Sequence, residues 1–175
     1  MQTLGATVFV LHGNKGPIQA ELYAERFAML AELGKTFGVV VAQENVARCT
    51  SRSLDFLLQM QKLLGNDAKF VLDIKQAVRS NETPMQMLQK LGSHIVHVHL
   101  SDHGEYGDCL PVGTGRFDVR TFLQTLSTCS PDCSVILELY RSSFNNVQDL
   151  VNNYLVIQHM LAPGSANKTD SIPIR

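Results

Sequence analysis

The chain has 175 residues, 45% of them apolar and 18% charged, with a formal net charge of −1. That is enough for one domain with a real core, in the composition range of ordinary globular proteins. The near-neutral balance argues against nucleic acid or an anionic membrane as partner, because phosphate binding needs clustered Lys and Arg. The longest apolar runs, residues 7–11 and 39–42, fall far short of the roughly 20 residues of a membrane helix. Residues 1–10 carry neither a basic start nor a long apolar stretch, so no signal peptide is expected. Cys49, Cys109, Cys129 and Cys133 form no CxxC pair, which fits a reduced, cytoplasmic chain.

In chain order, short apolar runs alternate with helical patterns. The first strand candidate covers residues 7–11, and Tyr23, Phe27, Leu30, Leu33 and Phe37 then recur at three- and four-residue steps as one helical stripe. The second strand candidate, 39–42, is followed by a leucine-rich helix from Leu54 with Ser53 as its N-cap. After a third strand at 70–72, Met85, Leu88 and Leu91 mark a short helix behind Pro84. A fourth strand at 95–100 precedes a helix opened by Asp118, carrying Phe122, Leu123 and Leu126. The fifth, 135–139, leads to a last helix with Val147, Leu150, Val151, Tyr154, Leu155 and Met160. Residues 163–175 lack periodicity and read as a flexible tail, leaving 1–162 as the domain. This is an α/β pattern with a parallel sheet, whose strands, buried on both faces, read as continuous β-branched runs. An open doubly wound sheet of five strands and part of an eight-stranded barrel both accommodate it.

The strand ends carry the chemistry. The first strand runs into His12, the second into Glu44 and Asn45, the third into Asp73, the fourth through His97 and His99 to Asp102, and the fifth into Glu138. In a parallel barrel all strand C-termini open onto one face, so these residues converge there. Three carboxylates and an imidazole in one place need a counter-charge, and a divalent cation supplies it. Any one of the acids alone is explained as an N-cap or ion-pair partner, and His97, among apolar neighbours, reads as structural. The argument for a site is joint.

Five segments in this order resemble the xylose-isomerase-like TIM barrel superfamily: residues 39–45 (VVVAQEN), 70–73 (FVLD), 97–102 (HVHLSD), 110–115 (LPVGTG) and 135–139 (VILEL). The superfamily includes sugar and sugar-phosphate isomerases and epimerases, hydroxypyruvate isomerase, inosose dehydratase and apurinic-site endonucleases. The resemblance implies a partial barrel of about five βα units and one divalent metal held by Glu44, Asp73, His99 and Glu138. It also implies that Glu44 and Glu138 form the catalytic acid–base pair. Mostly oxygen ligands with one nitrogen favour Mn²⁺, Mg²⁺ or Co²⁺, with Zn²⁺ also able to bind. The function implied is isomerisation or epimerisation of a small sugar, sugar phosphate or hydroxy-keto acid by proton transfer. His12, Gln76 and Asp102 are expected to contact substrate or brace the ligands. For a phosphorylated substrate, Lys75, Arg79, Arg116 and Arg141 are the candidate contacts.

The chain departs from the family at Gln76 and Cys109, where many members have histidine. These losses weigh against the apurinic endonucleases, which need more histidines to hold three metals, and no nucleic-acid partner is expected. Aligned by these motifs, His12 ends the fourth strand of the family barrel, so strands one to three have no counterpart. The chain then reads as part of a protein nearer 250 residues, or as one that a homo-oligomer or another chain completes. The competing readings are an apurinic-site nuclease and an inactive sugar-binding remnant.

Overall fold

A computed structural model describes residues 2–162; the expected flexible tail, 163–175, lies outside them. Five parallel strands form one sheet: β1 (Val8–Leu11), β2 (Val40–Glu44), β3 (Phe70–Asp73), β4 (Ile95–Leu100) and β7 (Ser134–Leu137). They pair in the order β1-β2-β3-β4-β7, without reversal. A doubly wound sheet reverses its order at a switch point. Sequential order is instead that of a barrel wall, and the architecture is an α/β half-barrel.

The helices pack in the same succession. They are α1 (Ala20–Thr36), α2 (Leu54–Leu64), the short α3 (Ile74–Arg79), α4 (Pro84–Leu91), α5 (Val119–Cys129) and α6 (Val147–Leu161). Neighbours α1 and α2, α2 and α4, α4 and α5, and α5 and α6 touch. Between helices and sheet lies the core, with Phe27, Phe70, Phe122, Leu57, Met60 and Met87 among its fully buried side chains. Two expected N-caps form: Ser53 Oγ accepts from Phe56 N at 3.3 Å and Asp118 Oδ1 from Thr121 N at 3.0 Å. Pro84 occupies the first turn of α4, where its missing N–H has no cost.

The stripe expected on α1 is corrected. Tyr23 and Phe27 are buried, but Leu30, Leu33 and Phe37 are exposed, and Ala20, Ala24, Ala31 and Gly34 complete the inward face. The reason is proximity: a Cβ on Gly34 would stand 2.6 Å from the Val39 carbonyl oxygen. Small residues let the helix lie against the strand, and larger ones turn outward.

Two elements went unread in the sequence. One is α3; the other is an antiparallel hairpin, β5 (Asp102–Gly104) with β6 (Gly107–Leu110). Beyond the hairpin, residues 113–117 wrap around Asp102. Both outer strands of the sheet have one partner each, β1 with β2 and β7 with β4, and Phe9, Val135 and Ile136 are exposed on them.

Candidate metal centre

Each strand delivers its polar residue to the same end of the sheet. Glu44 is the last residue of β2 and Asp73 the last of β3. His99 pairs in register with Asp73 on one side and Ile136 on the other. Glu138 follows β7, and its N–H extends the ladder by donating to Leu100 O at 3.0 Å. His99 Nδ1 is the hub. It lies 3.3 Å from Glu44 Oε1, 3.5 Å from Asp73 Oδ2 and 3.1 Å from Glu138 Oε2. One donor atom from each of the four residues lies within 4.8 Å of the others.

One atom of each residue, Glu44 Oε2, Asp73 Oδ2, His99 Nδ1 and Glu138 Oε2, is buried without a hydrogen-bond partner. Buried polar atoms are satisfied as a rule, so a cluster of exceptions calls for an ion. Ligands bound at about 2.1 Å to a common ion stand about 3.0–3.5 Å apart, which is the spacing around His99. The donor set, three carboxylates and one imidazole, can hold a divalent cation.

The electrostatics agree. Burial opposes a charged His99, but the carboxylates of Asp73, Glu138 and Glu44 beside it prevail, and its pKa is pushed up to about 11. His99 in turn holds Glu138 well below the usual carboxylate range, against burial and with help from Asp73 and Lys75. Burial dominates at Asp73 and raises its pKa, although His99 opposes it. The imidazolium serves as counter-charge to the three carboxylates; a divalent ion held here would take over that role and would need His99 neutral.

The comparisons with known proteins meet this geometry. The sequence matches the xylose isomerase-like TIM barrel family over residues 1–157. The chain belongs to that family. Among curated proteins no relative matches. Solved structures of the same fold include a D-tagatose 3-epimerase-like protein, 22% identical with TM-score 0.71, covering 91% of this chain and 64% of that one. Another is the probable 3-DHS dehydratase AsbF of Bacillus anthracis, 16% identical with TM-score 0.71, covering 87% and 63%. A third is the IOLI protein with a binding zinc atom, 17% identical with TM-score 0.66, covering 89% and 64%. The chain spans less than two thirds of the length of these structures.

Within this xylose isomerase-like half-barrel, the remaining expected site residues have distinct places. His12 Nε2 stands 3.1 Å from Glu44 Oε2 and its side chain is 59% exposed, so it links the buried carboxylate to solvent. Gln76 Oε1 accepts from Ala47 N at 3.0 Å, tying the loop after β2 to α3. Asp102 is committed elsewhere. Its Oδ2 accepts from Gly113 N (2.9 Å) and Gly115 N (3.0 Å), and its Oδ1 from His103 N (2.7 Å) and Phe117 N (3.0 Å). His97 bonds Ser134 Oγ at 2.7 Å outside the cluster, and its pKa is lowered by burial and then by His99.

Several residues in and around the site make contacts that the sequence reading did not assign. Asn45 and Asp73 bond reciprocally: Asn45 Nδ2 donates to Asp73 O at 3.0 Å and Asp73 N to Asn45 Oδ1 at 2.7 Å. Gln43 faces away from the site, donating to Leu11 O at 2.9 Å and accepting from the Tyr23 hydroxyl; burial pushes the Tyr23 pKa up to about 12. Cys109 Sγ donates to Glu138 O at 3.3 Å. Lys75 is buried against the cluster, with Nζ 3.0 Å from Glu138 Oε1 and 3.5 Å from Asp73 Oδ2. Burial disfavours its charge, but Asp73 and Glu138 prevail and its pKa is raised. The other phosphate candidates are engaged: Arg79 with Asp108 at 2.5 Å, Arg116 with Glu105 at 2.7 Å, and Arg141 with the carbonyls of Phe144 and Asn145. Among the described residues, no helix is long and apolar enough to cross a membrane.

Proposed function

We propose that this chain carries the catalytic half of a metal-dependent isomerase or epimerase acting on a small hydroxy-ketone, such as a sugar or hydroxy-keto acid. The observation that carries the reading is the cluster of buried donor atoms without hydrogen-bond partners, one each from Glu44, Asp73, His99 and Glu138. Glu44, Asp73, His99 and Glu138 would hold one divalent cation, of which Mn²⁺, Mg²⁺ and Co²⁺ suit mostly oxygen donors and Zn²⁺ is the alternative. When bound, such a cation polarises a substrate carbonyl and makes the neighbouring C–H more acidic. Fold relatives bearing epimerase names support the substrate class.

The protein's own residues do the proton work. Glu44 and Glu138 approach His99 from different strands, β2 and the end of β7. A carbon between them can lose its proton to one carboxylate and regain it from the other. The two carboxylates have different neighbours: Glu44 faces the imidazoles of His12 and His99, while Glu138 Oε1 faces the Lys75 ammonium. His12, at the mouth of the site, exchanges the Glu44 proton with water. Gln76 and Asp102 brace the walls through the loop contacts described above.

A second reading, cation binding without turnover, draws on the exposure of Glu138. Its side chain is 42% exposed beside the outer strand β7, while that of Asp73 is 1% exposed. Mn²⁺ titration together with transfer of solvent deuterium into a ketose pool tests both. Binding with exchange supports the first reading, binding without exchange the second, and no binding removes the cation.

A further inference from the structure

Lys75 is a charged side chain that few folds would bury. Its side chain is 6% exposed, and it enters the cluster from the first turn of α3, two residues after Asp73. The ammonium contacts the outer oxygen of Glu138, Oε1, at 3.0 Å, while the inner oxygen, Oε2, faces His99 at 3.1 Å. The Tyr140 ring lies 5.3 Å from Nζ, a cation–π contact. The backbone of Glu138 is anchored by Leu100 O and Cys109 Sγ, but Lys75 and His99 are the cations that fix its carboxylate. The two oxygens of Glu138 therefore have separate partners.

We propose that Lys75 is a positioning residue of the cation site: it reserves the outer oxygen of Glu138, leaves the inner one for the ion, and lowers the site's affinity by completing its charge. This rests on the cation reading above. Three carboxylates, a neutral imidazole and a divalent ion leave one negative charge, which the ammonium cancels. A full positive charge this close also repels the ion. With Lys75 present, the ion is held less tightly and Glu138 offers one oxygen. With Lys75 neutralised, both oxygens of Glu138 would be free for the ion and the repulsion would be gone.

A merely structural lysine predicts the opposite sign, since its loss would disorder Glu138 and weaken binding. Calorimetric titration with Mn²⁺ separates the two, using the wild type, Lys75→Met and Lys75→Arg. Lys75→Met should bind Mn²⁺ at least about tenfold more tightly, and Lys75→Arg should stay within about threefold of wild type. In a Glu138→Gln background the effect of Lys75→Met should shrink, because the competition for Glu138 is gone and only the direct repulsion of the ion remains. Equal or weaker binding in Lys75→Met overturns the proposal, and so does an undiminished effect in the Glu138→Gln background. Failure of Lys75→Met to fold in saturating Mn²⁺ overturns it too, because the ion should replace the missing charge. Binding by Lys75→Met where wild type binds none supports it in the strongest form. If neither protein binds Mn²⁺, the cation reading itself has failed.

Discussion

Asp73 divides its carboxylate between two tasks: Oδ1 accepts the Gln76 amide at 2.9 Å to cap α3, and Oδ2 faces His99 Nδ1 at 3.5 Å. Capping consumes one oxygen and orients the other, so the helix start aims the ligand. Asp73→Asn should therefore act twice. Mn²⁺ affinity should fall by about 10²-fold or more as an anionic ligand is lost. Stability should fall by about 1 kcal/mol or less, since Asn is also a good N-cap. Calorimetric titration and thermal unfolding read the two effects separately, and undiminished affinity would exclude Asp73 as a ligand.

The acid–base pair is tested by Glu44→Gln and Glu138→Gln. Each amide keeps an oxygen for the ion but cannot accept the proton. Turnover should drop by about 10²-fold or more, the usual effect of a lost general base, with much of the metal retained. Retained deuterium exchange in both variants would remove the two residues from the acid–base role.

His12→Ala should slow exchange more than it depletes metal. Its Nε2 approaches a Glu44 oxygen at 3.1 Å from a solvent-exposed ring, so under the proposed mechanism it would serve proton traffic without ligating the ion. A parallel loss of metal and rate would make it a ligand.

The pH dependence follows from His99 and Glu138. For His99 the folded pKa, about 11, exceeds the ordinary 6.5. Its contribution to stability is full below 6.5 and is lost as pH rises toward the folded value. For Glu138 the folded pKa lies below the ordinary 4.5, so its contribution is full above 4.5 and is lost as pH falls through the folded value. Chelator-treated protein should be most stable between these two ordinary values. Mn²⁺ must displace the His99 proton, so affinity should rise with pH by up to about tenfold per unit above neutrality. Calorimetry in buffers of different ionisation enthalpy should register about one proton released per ion. No release would mean that His99 is neutral before binding.

Asp102→Ala should destabilise the fold by roughly 3 kcal/mol or more, because four backbone amides lose a charged acceptor. Gly115→Ala should be comparably harmful: its Cβ would stand 2.3 Å from Asp102 Oδ1 and 2.5 Å from His103 O. Thermal unfolding checks both. Unchanged melting in either variant would mean that the loop is not held by Asp102.

Much of the site was legible in the sequence because a barrel puts strand ends in one place. Glu44, Asp73, His99 and Glu138 each close an apolar, β-branched run, and strand order alone brings them together. The limits were equally physical. Lys75 is paired with a residue 63 positions away, so no local pattern marks its place in the cluster, and the sequence reading offered it only as a phosphate contact. The hairpin at Asp102 is too short and too rich in glycine for a period-two signal. On α1, small residues face the sheet and large ones face out, which reverses the rule that apolar bulk points inward. Composition could not distinguish a barrel wall from a doubly wound sheet, since only pairing order separates them.

The four residues Asp73, Ile74, Lys75 and Gln76 each have a fixed azimuth around the start of α3. Asp73 gives a cap and a candidate ligand, Ile74 fills the core, Lys75 meets Glu138, and Gln76 holds the loop after β2. One helical residue subtends about 100°. A substitution in this turn removes one of these contacts. An insertion or deletion rotates all that follow, aiming an apolar side chain at the carboxylates and a charge at the core. This turn should therefore vary in residue identity across relatives while its length stays constant.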